Sequence, residues 1–209
     1  MTKFKPSILV ILASYNGEKY IREQINSILN QKNVNIKIHV FDDASKDKTG
    51  QIVEKRDNVI LNERKIGSGS AAINFLEALL ELNFKHELIK YDYIAFSDQD
   101  DIWLENKLSR SIQFLKQGFE LYGSNLNIYK DGKFTNEMVV KSQKQKKYDF
   151  LFEGGSAGCT YVFTPNLANL VCDNYLSIRN STWKYFSHDW FIYFIARLNG
   201  LKTYIDKES

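Results

Sequence analysis

Tyr93-Ile94-Ala95-Phe96-Ser97-Asp98-Gln99-Asp100-Asp101-Ile102-Trp103 joins a short apolar run to a crowd of carboxylates, and its reading decides the fold. Tyr93–Phe96 has the length and composition of a buried strand, and the acidic cluster ends it. From Trp103 to Leu115 apolar residues return at helical spacing, with Asp101 placed to cap that helix. A strand that stops in polar residues and hands over to a helix is half of a βαβ unit.

The same grammar repeats upstream. Ile8–Ala13 is a continuous aliphatic run that breaks at Ser14-Tyr15-Asn16-Gly17, as a strand buried on both faces should. Between Glu18 and Leu29, Tyr20, Ile21, Ile25, Ile28 and Leu29 follow the helical period. Ile36–Phe41 reads as a second strand broken by Asp42-Asp43-Ala44-Ser45, and Ser45 or Asp47 could cap a helix through Val53. Val59–Leu61 is a short third strand. After Gly67-Ser68-Gly69, the stretch Ala71–Leu82 is again helical in period. Strands alternating with helices predict an α/β fold built on a mostly parallel sheet with right-handed crossovers. Both acidic clusters fall at strand C-terminal ends, where open sheets of this class place ligands.

The second half changes pattern. Leu126–Tyr129 and Phe134–Val140 flank Lys130-Asp131-Gly132-Lys133, which predicts a small antiparallel hairpin with an Asp-Gly turn. Lys141–Lys147 is basic and polar, a solvated loop or a contact for phosphates. Gly154-Gly155-Ser156-Ala157-Gly158 precedes an expected strand at Thr160–Phe163. Thr164-Pro165 opens a helix through Tyr175, and Phe191–Leu198 forms another.

With 209 residues, 44% hydrophobic and 14% aromatic, the chain has enough apolar surface for one domain with a real core. A net charge of +3 and no basic face interleaved with aromatics exclude a nucleic-acid binder. Cys159 and Cys172 have neither disulfide-framework nor metal-site spacing, so the expected compartment is the reducing cytoplasm. No run approaches the roughly 20 apolar residues of a membrane span.

Three carboxylates at Asp98, Asp100 and Asp101 repel one another unless a cation sits among them. Carboxylate oxygens suit Mg²⁺ or Mn²⁺, which bind through one or two protein carboxylates and complete their shell with diphosphate oxygens and water. At the same edge, one carboxylate of Asp42-Asp43 could accept from a pyrimidine N–H while the other bonds its own loop. Arg64 and Lys65 are either phosphate contacts or surface charges. Trp103, Trp183 and Trp190 are either core or stacking platforms for sugars.

Ile11-Leu12-Ala13-Ser14-Tyr15-Asn16, Phe41-Asp42-Asp43-Ala44-Ser45-Lys46-Asp47 and Ser97-Asp98-Gln99-Asp100-Asp101-Ile102-Trp103, in this order and spacing, resemble the inverting family 2 glycosyltransferases. With His188-Asp189-Trp190 the chain is similar to the rhamnosyltransferase-like branch. The resemblance implies a GT-A fold over residues 1–209, with a nucleotide-binding half (1–115) and an acceptor-binding half (116–209). It implies that Ala13, Tyr15 and Asp43 line a nucleobase pocket with Glu18 near it, and that Asp98 and Asp100 meet the ribose and the metal-diphosphate, Asp100 being the foremost metal ligand. Asp189 aligns with the family's catalytic base, His188 and Trp190 lie on the acceptor side, and Gly155 belongs to the loop closing over both substrates. Chemistry agrees on Asp189: direct displacement with inversion needs a base for the attacking hydroxyl.

The implied reaction moves a sugar from dTDP-rhamnose or a UDP-hexose to a saccharide or lipid-linked saccharide, in surface polysaccharide synthesis at the cytoplasmic membrane face. Two departures stand out. Ala71-Ala72-Ile73-Asn74 replaces the family's Ala-Arg-Asn, and the chain runs only a short way past His188-Asp189-Trp190, where many members continue. A nucleotide-sugar-binding module without turnover is the alternative; a nucleotidyltransferase would carry a basic Gly-rich loop where Ser14-Tyr15-Asn16-Gly17 stands.

Overall fold

The computed structural model describes residues 5–54, 56–181 and 187–208. Its elements follow in chain order: β1 (Ser7–Ser14), α1 (Ile21–Leu29), β2 (Asn35–Asp42), α2 (Thr49–Val53), β3 (Val59–Glu63), α3 (Ala71–Phe84), β4 (Tyr93–Ser97) and α4 (Lys107–Leu115). The second half contributes β5 (Leu121–Ser124), β6 (Leu126–Lys130), β7 (Lys133–Val139), β8 (Val162–Phe163), α5 (Pro165–Ile178), α6 (His188–Leu198) and β9 (Thr203–Asp206).

Seven strands form one sheet in the order β3-β2-β1-β4-β8-β5-β9, and β6 and β7 pair separately as a hairpin. β3, β2, β1 and β4 are parallel, β8 runs antiparallel to both β4 and β5, and β9 is parallel to β5. This is the expected mostly parallel sheet with a separate hairpin.

β1 shows why its sequence is apolar throughout. Leu9, Ile11 and Ala13 face one core with α3, α5 and α6, while Ile8, Val10 and Leu12 face another with α1, α2 and α4. A strand covered on both faces has no side left for polar residues. Burial of each such side chain stabilises by roughly 1.5–3 kcal/mol before entropy is counted.

Local chemistry sets several boundaries. Thr164 Oγ1 accepts from Leu167 N–H with Pro165 at the start of α5, and Ser70 Oγ accepts from Ile73 N–H at α3. The β6–β7 turn places Asp131 and Gly132 at φ 52° and 79°, the conformation an Asp-Gly hairpin turn requires.

Three expectations are corrected. The helix read from Trp103 begins only at Lys107, because Trp103 N–H donates to Ser27 Oγ and Gln31 Nε2 donates to the Leu104 carbonyl (2.7 Å), pinning this segment against α1. Asp101 is therefore not its cap. Ser45 does not cap α2 either: it accepts from Asn16 N–H and donates to Asp42, while Asp47 receives Thr49 N–H. The sheet also gains β5 and β9, which sequence periodicity did not reveal.

Candidate active site

The carboxyl ends of β1, β2 and β4 open onto a cleft of about 880 Å³, within the size range of small-molecule sites. Ala13 and Tyr15 after β1, Asp43 after β2, and Asp98 and Asp100 after β4 all line it, as do Lys46 and Lys65. The sheet thus collects these sequence-distant residues at one edge.

Tyr15 is held by a residue that the sequence left without a role. Tyr15 N–H donates to Gln99 Oε1 at 2.9 Å, and Gln99 Nε2 donates to the Tyr15 carbonyl at 3.0 Å. Gln99 therefore fixes the β1 loop to the acidic loop, and leaves the Tyr15 ring exposed at the cleft.

The acidic pair after β2 divides its labour. Asp42 is buried and receives Ser14 Oγ–H, Ser45 N–H and Ser45 Oγ–H. Asp43 lines the cleft, but its carboxylate also receives Ser68 N–H (2.7 Å), Ser68 Oγ–H (3.1 Å) and Gly69 N–H (3.0 Å), which holds the Gly67–Gly69 loop. Arg64 donates to Asn74 Oδ1 and stacks over Phe41, so it braces the loop, whereas Lys65 lines the cleft. Asn74 Nδ2 donates to the Phe41 carbonyl. Glu18 departs from expectation: it is not part of the cleft lining, and its Oε2 accepts from Lys48 N–H.

At the end of β4 the acidic cluster is crowded. Ligand atoms of Asp98, Asp101 and Cys159 lie within 4.8 Å of one another, and Asp101 Oδ2 is buried with no hydrogen-bond partner. Burial, and then the charges of Asp101 and Asp100, push the Asp98 carboxyl up to about 7. Burial likewise keeps the Cys159 thiol protonated, so it is a poor ligand for a hard cation. Lys107 is stacked 3.6 Å over the Trp103 ring and donates to the Cys159 carbonyl; burial lowers it to about 8. Trp103 itself is core, its Nε1 donating to the Gln24 amide oxygen in the orientation that also satisfies Ser97.

These carboxylates fit a divalent cation. Like charges packed together, one buried oxygen lacking a partner and a carboxyl forced toward protonation are each relieved by a positive ion. Asp98 and Asp101 lie within 4.8 Å of each other, and Asp100 is exposed and lines the cleft.

A second, polar cleft of about 310 Å³ is lined by Asp189, Trp190 and Gly155. Asp189 lies in the first turn of α6, where Oδ1 accepts from Trp190 N–H at 2.7 Å. Gly155 is required by space: a Cβ there would lie 2.7 Å from the Tyr193 ring. Trp190 Nε1 donates to the Phe150 carbonyl at 2.8 Å. His188 is corrected. It is absent from the lining of this cleft, its ring packs 4.3 Å from Phe75 and 5.7 Å from Phe96, and its Nε2 is buried without a partner. Burial lowers its pKa to about 4, against the opposing pull of the Asp189 charge. Trp183 lies outside the described residues.

Sequence reading also missed Arg197. It pairs with Asp149 at 2.9 Å and donates to the Lys146 carbonyl at 2.7 Å, tying the 146–149 segment to α6 beside Asp189. No local pattern signals a pair separated by 48 positions, 197 − 149.

Comparison with known proteins bears on the family and the fold. The family model described as glycosyl transferase family 2 matches residues 9–186. The dTDP-rhamnosyl transferase RfbG of Shigella flexneri is 35% identical over 205 residues, covering 94% of this chain and 68% of that protein. The UDP-Glc:alpha-D-GlcNAc-diphosphoundecaprenol beta-1,3-glucosyltransferase WfaP of Escherichia coli is 29% identical, covering 74% of this chain and 59% of that protein. Among solved structures, the mannosyltransferase PcManGT of Pyrobaculum calidifontis, in complex with GDP-Man and Mn²⁺, superposes with a TM-score of 0.64 at 17% identity, over 98% of this chain and 55% of that one. That likeness establishes a shared fold. The family match spans most of the sequence, from β1 to the threshold of α6, and on it the chain belongs to glycosyl transferase family 2.

Proposed function

We propose that this chain carries out the metal-dependent, inverting transfer of a sugar from a nucleotide-diphosphate donor, dTDP-rhamnose or a UDP-hexose, to a saccharide hydroxyl during surface polysaccharide synthesis. The nucleotide occupies the cleft of Ala13, Tyr15 and Asp43. The acceptor, a saccharide or lipid-linked saccharide, occupies the cleft of Asp189, Trp190 and Gly155. Residues 1–115 are the donor half and 116–209 the acceptor half.

One observation carries this reading. Asp98 at the end of β4 and Asp189 at the start of α6 come from distant parts of the chain, yet the Asp189 charge is near enough to act on Asp98. A donor-side acid cluster and an acceptor-side carboxylate thus lie within electrostatic reach of each other. The relatives support the donor classes, through a dTDP-rhamnosyl transferase and an enzyme named for UDP-Glc.

Mg²⁺ or Mn²⁺ would be held by Asp98 and Asp100, with Asp101 supplying further negative charge. When bound, it stabilises the charge that gathers on the departing diphosphate. Lys46 and Lys65, which line the same cleft, would add positive charge for the leaving group. Asp189 accepts the proton of the acceptor hydroxyl as its oxygen bonds to the anomeric carbon and the bond to the diphosphate breaks.

Isothermal titration with UDP and dTDP, each with Mn²⁺ or EDTA, tests the donor site. Metal-dependent binding of one nucleotide, abolished in Asp100→Ala, is the expected result; no binding of either overturns the reading.

A further inference from the structure

One cation lies against the acidic cluster. Lys107, the first residue of α4, donates to the Cys159 carbonyl, and its ammonium sits 3.6 Å over the Trp103 ring. The Cys159 thiol lies within 4.8 Å of carboxylate oxygens of Asp98 and Asp101, so the residue that Lys107 grips belongs to the cluster. Asp100, Asp101, Cys159 and Lys107 also share the wall of a cavity of about 200 Å³. Among the described residues, the charges that act most strongly on Asp98 are those of Asp101, Asp100, Lys107 and Asp189, and of these Lys107 alone is positive.

Lys107 is held in place. Gln31 fixes the backbone on both sides of it, Nε2 donating to the Leu104 carbonyl at 2.7 Å and Oε1 accepting from Leu108 N–H at 3.0 Å. The ammonium bonds a carbonyl and a ring face instead of a carboxylate, and the Asp101 oxygen Oδ2 is left without a partner. A lysine paired directly with Asp98 or Asp101 would occupy the oxygens that a metal needs. Held against Trp103, Lys107 eases the repulsion among the carboxylates while the site is empty, and it opposes an entering dication, which feels its charge twice over. A diphosphate reverses that balance, because its negative charge attracts the ion and Lys107 alike.

We propose that Lys107 sets the affinity of the metal site: it keeps the acid cluster from retaining Mg²⁺ or Mn²⁺ tightly by itself, and so makes tight retention depend on the donor's diphosphate. This rests on the metal-dependent donor reading given above and adds how arrival of the ion is tied to arrival of the donor. Lys107 is a positioning residue that acts through the charge it sets against the carboxylates. Its removal also makes Asp98 easier to protonate, which works against the ion. The proton carries one charge and the ion two, so the net effect of removal is tighter metal binding.

The test titrates the whole chain with Mn²⁺ alone, then with Mn²⁺ in the presence of UDP or dTDP, at about pH 7.5, where Lys107 is still mostly charged. Lys107→Met keeps the apolar stem without the charge, and is expected to bind Mn²⁺ alone at least about tenfold tighter than wild type. The factor by which nucleotide improves Mn²⁺ affinity should shrink correspondingly. Lys107→Arg keeps the charge and should stay within about threefold of wild type. A lysine that merely supported the fold would give no gain in affinity on removal. Unchanged or weaker Mn²⁺ binding by Lys107→Met overturns the proposal, as does equal tightening by Lys107→Arg. If neither Met nor Gln at this position folds, the wild type decides: its Mn²⁺ affinity should rise at least about tenfold when nucleotide is present, and equal affinity with and without nucleotide overturns the proposal. Metal-dependent nucleotide binding in the wild type with no tightening in Lys107→Met sinks this proposal alone; absence of metal-dependent nucleotide binding in the wild type sinks the donor reading beneath it.

Discussion

Gln99 and Tyr15 form a two-bond clamp in which the side-chain amide of one both accepts from and donates to the backbone of the other, at 2.9 and 3.0 Å. The clamp joins the loops after β4 and β1, and both residues line the cleft. Gln99→Ala is expected to weaken nucleotide binding about three- to tenfold, the cost of losing two modest hydrogen bonds that hold the pocket wall. Gly17→Ala should do the same by another route, since its Cβ would lie 2.2 Å from Gln99 Oε1. Titration of both variants with UDP and dTDP checks this.

Two groups bend the dependence of stability on pH in opposite senses. His188 falls from an ordinary 6.5 to about 4, so between these values the unfolded chain binds a proton that the folded one refuses, and stability drops as pH falls through this window. Asp98 rises from 3.8 to about 7, so the folded chain holds the extra proton and stability drops as pH rises through that window. In EDTA, His188→Leu should flatten the acid arm and Asp98→Asn the neutral arm, each by on the order of 2 kcal/mol after solvent screening is allowed for. Thermal melts from pH 4 to 8 separate them.

A divalent ion should cancel the Asp98 effect. Mn²⁺ competes with the proton on Asp98, so it should raise the melting temperature of the wild type more at pH 7.5 than at pH 5, and do little for Asp98→Asn. An equal rise at both pH values would argue against Asp98 as a ligand.

Gly158 sets the seat of His188. A Cβ at Gly158 would lie 2.1 Å from His188 Nε2, so Gly158→Ala must displace the imidazole and with it the start of α6. Turnover should fall at least about tenfold while nucleotide affinity changes little, because a small misplacement of a reacting group is costly. The two are read by product release and by titration.

The first half of the chain was legible because its signals are local. Ile8–Ala13 and Tyr93–Phe96 are short apolar runs ended by polar residues, and parallel pairing brings their ends to one edge. The second half was harder. β5 is four residues with a glycine at Gly123, and β9 is Thr203–Asp206; they are strands because they pair with each other and because Arg110 anchors Asp206. None of that is visible in a window of sequence. Among site residues, Asp98, Asp100, Asp189 and Gly155 sit at clefts, while Glu18 and His188 turn to their own loops and core. Motif position alone carries no information about which way a side chain faces.

The Asp206 anchor carries its own expectation. Arg110 donates to both Asp206 oxygens at 2.6 and 3.0 Å, and Tyr122 Oη–H donates at 2.9 Å. Asp206→Asn leaves Arg110 with a weakened partner beside a buried edge strand and should cost about 2–4 kcal/mol, read by denaturant titration.

The central claim is that Asp98 and Asp100 serve the donor while Asp189 serves the acceptor hydroxyl. It is tested most directly by Asp189→Asn, assayed for nucleotide affinity with Mn²⁺ and for sugar transfer from dTDP-rhamnose and UDP-glucose to a lipid-linked saccharide. The account predicts affinity within about twofold of wild type and transfer lower by about 10²–10⁴, the usual contribution of a positioned base. Transfer at the wild-type rate, or a loss of nucleotide affinity as large as the loss of transfer, would contradict it.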